Sequence, residues 1–495
     1  MRSVFIAFLM SLGVGALLTP LVRRLAIRLG ALDAGGGRKV HAGSIPRLGG
    51  LAIVLGFYAP LTGLLFLDAG INRHFLADQR KVVGLFVGGL IIAGLGLYDD
   101  FRGANAPKKF LVQFLVAALL WQAGYRIDVV SNPFGSPIEL GAWGLPVTLL
   151  WIAGVINALN LIDGLDGLAG GVAVFVLGTL FVVASLQDRV LVCLMCAALG
   201  GATLGFLLYN FNPASIFMGD TGSLFLGFVI AAMSIQGSQK SSTAVVVAIP
   251  VLALGLPLAD TFLAMVRRAL RGRSMFQADR EHIHHKLLDL GLSQRQAVLV
   301  LYGASLLLAG VALVIFYLND AQAAAVLGVV AIIGVAVFHQ MGYLSLDAIR
   351  RDVTVGRAQS RALRLQREAI RAAFSSPGLG EYAPSDALDA LRACAPHVGY
   401  GEATLHLEPG TLGVPGREHV GFREEPAPAE PGFTVRYPLE GRAGPLGEVV
   451  YVFRDGRRHL SLDDASLLDL VHDQLLDHVE ARSLPQVVPL RRRSP

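Results

Sequence analysis

Five polar clusters interrupt a chain that is otherwise apolar over most of its length. They are Asp99-Asp100; Asn157, Asn160, Asp163 and Asp166 within NALNLIDGLDGL; Phe217-Met218-Gly219-Asp220-Thr221-Gly222-Ser223; Asp260; and Arg267, Arg268, Arg271 and Arg273 followed by His282-Ile283-His284-His285. Carboxylates and amides without cysteine partners suit a hard divalent cation, and Mg²⁺ is commonly held by one or two carboxylates plus substrate phosphates. Lys108, Lys109, Arg267 and Arg273 could offset phosphate charge. Adjacent carboxylates such as Asp99 and Asp100 cannot both ionise cheaply unless a cation or a lysine lies close. One would then be a ligand and the other a base. His282 and His285, three apart on a helix, leave zinc open as an alternative. No G-x-x-x-x-G-K-[ST] occurs, so a P-loop nucleotide hydrolase has no support.

Local spacing adds detail. Asn157, Asn160 and Asp163 step by three and drift about 60° each time, which places them on one broad face of the last two turns of a helix. Gly164 and Gly167 permit tight turns that leave Asp166 in a loop. In MGDTGS, glycines flank an acidic residue just before a helix, whose exposed N-terminal amides favour anions.

What must position these groups is a set of membrane helices. The chain has 495 residues, 54% of them hydrophobic and 16% charged, against about 25% charged in a soluble globular chain. The deficit lies in residues 1 to about 340. A net charge of +5 is too small for a polyanion footprint, so no nucleic-acid partner is expected. With about 20 apolar residues per crossing, spans are expected near 3–22, 48–67, 82–98, 109–124, 145–161, 168–186, 190–209, 222–237, 243–266, 297–318 and 322–340. The fold class is therefore an all-α polytopic membrane protein of about eleven transmembrane helices, with a C-terminal cytosolic α+β domain. The first apolar run is longer than a signal-peptide core and ends in Arg23-Arg24, so it is read as a retained helix. Cys193 and Cys196 form a C-x-x-C inside an apolar block and, with Cys394, are read as buried small hydrophobes.

Loops after the odd-numbered spans carry sixteen Lys and Arg, six in 22–47, three in 100–109 and seven in 267–296, while the other loops carry six. The positive-inside rule puts the first set in the cytoplasm, the N-terminus outside and the C-terminus inside. All five polar clusters then fall on the cytoplasmic side. An Asp in the centre of a membrane helix costs about 2.5–3.5 kcal/mol and is usually functional or paired. One such residue could be a helix cap. Acidic clusters gathered on one face describe an active site.

In order, RKVHAGSIPRLGG at 38–50, YDD at 98–100, NALNLIDGLDGLAGG at 157–171, FMGDTGSLFLG at 217–227, PLADT at 257–261 and RRALRGRSMFQADREHIHH at 267–285 resemble the polyprenyl-phosphate N-acetylhexosamine-1-phosphate transferases. This membrane group, the glycosyl transferase family 4, also contains the phospho-MurNAc-pentapeptide transferase. The resemblance covers roughly residues 20–295. It implies transfer of a HexNAc-1-phosphate, usually from UDP-GlcNAc, to undecaprenyl phosphate on the inner leaflet of a bacterial cytoplasmic membrane, releasing UMP. The partners it implies are thus a UDP-HexNAc donor and a polyprenyl phosphate. The cofactor it implies is Mg²⁺, with Mn²⁺ able to substitute.

By the same resemblance Asp99, Asp100 and Asp220 are catalytic. Asp220 and Asp100 are the metal ligands, and Asp99 deprotonates or orients the acceptor phosphate. Phe217 stacks on uracil. Asn157, Asn160, Asp163 and Asp166 contact donor nucleotide and metal, while Lys109, Arg267, Arg273, His282, His284 and His285 contact phosphate and sugar. HIHH resembles the GlcNAc-type branch more than the MurNAc-pentapeptide branch. DAGGGRKVH lacks the proline common after its Asp, and Met275 stands where a small residue or proline is common. The MurNAc-pentapeptide transferase and, in a different class, a secondary transporter or a non-catalytic scaffold remain alternatives.

Four regions follow: a catalytic membrane domain at 1–340, a basic amphipathic linker at 341–383, an accessory α+β domain at 384–482 and a basic tail at 483–495. Arg350 to Arg371 is read either as a helix leaning on anionic lipid or as a solvated connector. In the accessory domain a helix (SDALDALRACA) precedes three alternating segments (ATLHLEP, FTVRYPLE, GEVVYVFR) and a closing helix, while 423–432 is read as loop. The order faintly resembles a GAF-type sensory domain, which would dock a regulatory protein or small ligand.

Overall fold

The computed structural model describes residues 2–33, 45–67, 69–130, 138–238, 245–270, 282–340, 346–375, 384–408, 411, 418–423, 433–441, 444–454, 460 and 462–483. The membrane part begins with α1 (Arg2–Arg28), the paired strands β1 (Leu32–Asp33) and β2 (Ile45–Pro46), α2 (Gly50–Leu67), α3 (Ala69–Ala77), α4 (Gln79–Arg102) and α5 (Ala106–Ala123). The paired strands β3 (Val129–Val130) and β4 (Ile138–Glu139) lead to α6 (Gly144–Ile162), α7 (Leu168–Leu186), α8 (Val190–Asn210) and α9 (Gly219–Ser238). It closes with α10 (Val245–Ala253), α11 (Gly255–Leu270), α12 (Ile283–Asp289), α13 (Gln294–Ile315) and α14 (Asp320–Gln340).

Helices occupy all eleven expected spans, the ninth as two pieces, α10 and α11, with Pro257 in the first turn of the second. Proline lacks the N–H that would continue the helical ladder, which favours such a division. Among the described residues, seven helices are long and apolar enough to cross a membrane. The chain is a multi-pass membrane protein.

Lipid tails are as apolar as leucine, so close packing holds such helices together. The central helix is α9, packed by α2, α4, α6 and α7, with Leu224, Phe225, Phe228 and Ile230 wholly buried. Its aromatic contacts include Phe57 to Phe225 at 5.5 Å between ring centres. Gly96 lets α4 approach the start of α9, for a Cβ at that position would lie 2.5 Å from the Thr221 Cα. This contact brings the end of α4 to the first turn of α9. The three cysteines are free and buried, as their apolar surroundings suggest.

The described residues form two compact units, the first running to residue 349 and the second from residue 350. Helix α15 (Leu346–Ser375) begins in the first and continues into the second, which goes on with α16 (Pro384–Val398), β5 (Glu402–Leu407), β6 (Glu418–Arg423), β7 (Phe433–Gly441), β8 (Gly444–Phe453) and α17 (Leu462–Ser483). The antiparallel sheet runs β6-β5-β8-β7. Leu405 stands opposite both Val420 and Val449. Residues of one face alternate into the core, with Tyr400, Tyr451, Leu468 and Val471 buried beside them. Strand β6 was not expected: Gly421 in its middle weakens the strand pattern. Most of the segment expected as a linker is α15, and Ile370 near its end is wholly buried in this second core.

Candidate active site

The first turn of α9 organises the site. Its N–H groups have no partners within the helix, and Asp100, 4% exposed on α4, supplies them. Asp100 Oδ1 accepts from the Asp220 amide at 2.9 Å. Asp100 Oδ2 accepts from the Thr221 amide at 3.0 Å and the Thr221 hydroxyl at 2.6 Å. Arg47 donates to the Asp100 backbone carbonyl. The helix N-terminus expected to receive phosphate is thus already occupied by a carboxylate of the same chain. Asp100 therefore caps α9 and positions its first turn.

Asp99, next along α4, faces elsewhere. It accepts from the Ala104 amide and pairs with Lys109 Nζ at 2.5 Å. The same Nζ lies 2.5 Å from Asp220 Oδ2. Lys109 stands in the first turn of α5, fixed by Asn105, whose side chain accepts from the Lys108 amide at 3.3 Å. One ammonium therefore bridges two carboxylates drawn from α4 and α9, meeting the expectation that adjacent aspartates require a nearby cation.

Phe217 is half-buried. Its amide donates to the Pro46 carbonyl at 2.7 Å, and its carbonyl accepts from the Gly49 amide at 2.9 Å. These bonds place PRLGG beside FMGD.

On α6, the two asparagines reach different neighbours, as their angular drift requires. Asn160 Nδ2 donates to Ser223 Oγ on α9 at 2.9 Å. Asn157 Nδ2 donates to Gln113 Oε1 on α5 at 2.6 Å and to the Ala153 carbonyl at 2.7 Å. Asp163, at the C-terminal end of α6, donates its amide to the Asn160 carbonyl at 3.3 Å, while its carboxylate has no hydrogen-bond or ion-pair partner among the described residues. Burial pushes its carboxyl well above the ordinary range, and the charges of Asp220, Asp100 and Asp166 push the same way. Asp166, 3% exposed, accepts from Asn212 Nδ2 and the Ala214 amide, each at 3.0 Å, so it ties two loops together.

The histidine motif reaches this region through Gly164: a Cβ there would lie 2.6 Å from His284 Nε2. His282 precedes α12 and pairs through Nδ1 with Asp260 Oδ2 at 2.9 Å, while Asp260 Oδ1 accepts the Ile283 amide at 2.9 Å. His282 thus stands at the N-cap position of α12, outside the helix, and does not share a helical face with His285. His284 and His285 rings lie 4.3 Å apart. Burial, then the neighbouring His285, pushes His284 down to about 4, so it is neutral at pH 7. Arg267 is buried in the last turn of α11, and Arg271, Arg273 and Met275 lie outside the described residues.

Among the described residues no three His, Cys, Asp or Glu side chains form a ready metal cage. Mg²⁺ keeps waters and takes few protein ligands, and the Asp163 and Asp220 carboxylates, whose charges sense each other, would fit that demand. Sequence reasoning gave no individual role to Arg47, Thr221, Ser223 or Gln113. Gln113 left a signal, as a lone polar residue in KFLVQFLVAALL one turn from Lys109.

A helical membrane bundle gathers carboxylates, amides, a lysine and histidines near one end of its central helix. The sequence profile of glycosyl transferase family 4 matches residues 82–238, from α4 through α9. A probable undecaprenyl-phosphate N-acetylglucosaminyl 1-phosphate transferase of Bacillus subtilis (strain 168) is 43% identical over 303 residues, covering 61% of this chain and 82% of the relative. A decaprenyl-phosphate N-acetylglucosaminephosphotransferase of Mycobacterium tuberculosis (strain CDC 1551 / Oshkosh) is 37% identical over 341 residues, 64% of this chain and 83% of that one. An undecaprenyl-phosphate alpha-N-acetylglucosaminyl 1-phosphate transferase of Yersinia pestis is 30% identical over 297 residues, 58% and 77% of the two chains. The chain belongs to glycosyl transferase family 4.

Proposed function

We propose that this protein transfers GlcNAc-1-phosphate from UDP-GlcNAc to undecaprenyl phosphate, releasing UMP and starting a lipid-linked envelope glycan. The observation that carries the reading is Lys109 bridging Asp99 and Asp220, with the unpartnered Asp163 carboxylate nearby, in a family whose relatives are named for this transfer. An acceptor phosphate oxygen attacks the sugar-bearing phosphorus, a new P–O bond forms, and the P–O bond to UMP breaks. One pyrophosphate linkage replaces another, so no ATP is required.

Asp99 orients the acceptor phosphate and takes any proton it carries. Lys109 offsets charge on the phosphates. Phe217 stacks on the uracil, and Asn157, Asn160, His284 and His285 contact the donor. Asp220 and Asp163 would hold Mg²⁺, which when bound supplies neutralisation of phosphate charge. Asp100 acts through α9, holding Asp220 in place.

Eleven crossings, an external N-terminus, an internal C-terminus and residence in a bacterial cytoplasmic membrane belong to the same reading, supported by the Lys and Arg asymmetry. The C-terminal unit, with its own core, serves as a regulatory module that docks a protein or small ligand. Relatives named for N-acetylglucosamine speak for that sugar over MurNAc-pentapeptide.

The test is UMP release and lipid product in membranes containing the protein, given Mg²⁺, undecaprenyl phosphate and a panel of UDP-sugars. Turnover with UDP-GlcNAc is expected. Turnover only with the MurNAc-pentapeptide donor, or none with any donor, overturns the reading.

A further inference from the structure

Helix α15 carries seven arginines against three acidic residues, Asp347, Asp352 and Glu368. At 100° per residue, Leu363, Ile370 and Phe374 fall on one side and pack into the second unit's core. Arg367, at the border of that side, donates to Ser466 Oγ at 2.9 Å. Arg361, Arg364 and Arg371 project away from the packed side and are exposed, with Glu368 among them. Leu365 beside them is 58% exposed. A basic stripe bordered by an exposed leucine therefore runs along a helix whose other side is already occupied.

Chain length fixes where this helix starts. Helix α14 is long and apolar enough to cross a membrane and ends at Gln340. From Gln340 to Leu346 the chain can reach about 20 Å at most, so α15 begins within reach of the headgroup layer. Guanidinium groups match phosphate oxygens in pairs, and attraction to an anionic leaflet falls off within a Debye length of about 8 Å at physiological salt.

We propose that the exposed face of α15 docks on the headgroups of anionic phospholipids and so holds the C-terminal unit at the membrane surface. Charge and proximity select the occupant: the stripe is cationic, and the nearest extended anionic surface is the leaflet itself. The proposal does not rest on the transferase reading.

The test uses the full-length protein with Leu365→Cys carrying an environment-sensitive fluorophore. The three native cysteines are buried, which directs labelling to position 365. The protein is reconstituted in phosphatidylcholine alone or in an equal mixture with phosphatidylglycerol. The emission is expected to shift to the blue in the mixed vesicles, and high salt should reverse the shift. Replacing Arg361, Arg364 and Arg371 together by Gln should lower the ratio of docked to undocked helix about 100-fold, at about five-fold per arginine. Equal emission in both vesicle types, a triple variant that responds like its parent, or a response only to an added acidic protein overturns the proposal.

Discussion

Thr221 gives both its backbone amide and its hydroxyl to a single oxygen of Asp100, a residue 121 positions earlier in the chain. The end of one membrane helix thereby caps the start of another. A negative charge at the positive end of α9 adds to the hydrogen bonds. Asp100→Asn puts an amide nitrogen against N–H donors and should lower unfolding free energy by about 2 kcal/mol, the range of a hydrogen bond to a charged group. Thr221→Val should cost about 1 kcal/mol. Because both act on one contact, the double variant should be no less stable than Asp100→Asn by more than a few tenths of a kcal/mol. Denaturation of the purified protein in detergent measures all three.

Lys109 tests the charge balance of the site. With Lys109→Met, Asp99 and Asp220 face each other without their shared ammonium. UMP release should fall about 10²- to 10³-fold, the scale on which a positioned electrostatic group acts. Lys109→Arg should recover part of the loss, since it restores the charge but not the compact point geometry.

Asp163 should show stability and activity moving in opposite directions. Its folded-state carboxyl is raised above its unfolded value, so its ionisation costs stability as pH rises. Asp163→Asn removes that cost and should raise the melting temperature at pH 7 in the absence of divalent cations. The same variant should lose UMP release and most of the stabilisation that added Mg²⁺ gives the parent. Melting curves with and without Mg²⁺ provide the check.

His284 has the opposite sign of shift for a base. Burial lowers it to about 4 in the folded state, against about 6.5 when unfolded. The unfolded chain therefore binds the extra proton first. The contribution of His284 to stability is full above about pH 6.5 and is lost as pH falls toward 4. His284→Gln should flatten this part of the stability profile, and the difference between variant and parent isolates it from Asp163.

Much of this was legible in the sequence because lipid imposes length and hydrophobicity on every crossing. The apolar blocks located the helices of the membrane part, and the clusters of Asp, Asn and His marked the groups that converge near α9. The assignment of tasks was less legible. Asp99 and Asp100 are neighbours in sequence but project in different directions from α4, one to Lys109 and one to Thr221. Asp166 looked like Asp163 in the motif, yet it serves a loop contact with Asn212 and Ala214. His282 was read as helical and is instead held outside α12 by Asp260. Each depends on which face a side chain takes and which distant segment meets it. Strand β6 escaped because a glycine interrupts its alternation.

Asp220 is where the carboxylate, the lysine and the start of the central helix meet, so the most direct measurement is UMP release by Asp220→Asn enzyme whose folding is verified by an unchanged melting transition. With UDP-GlcNAc, undecaprenyl phosphate and Mg²⁺ supplied, turnover should drop at least about 10³-fold. Near-normal turnover from that folded variant would contradict the placement of the chemistry at this cluster.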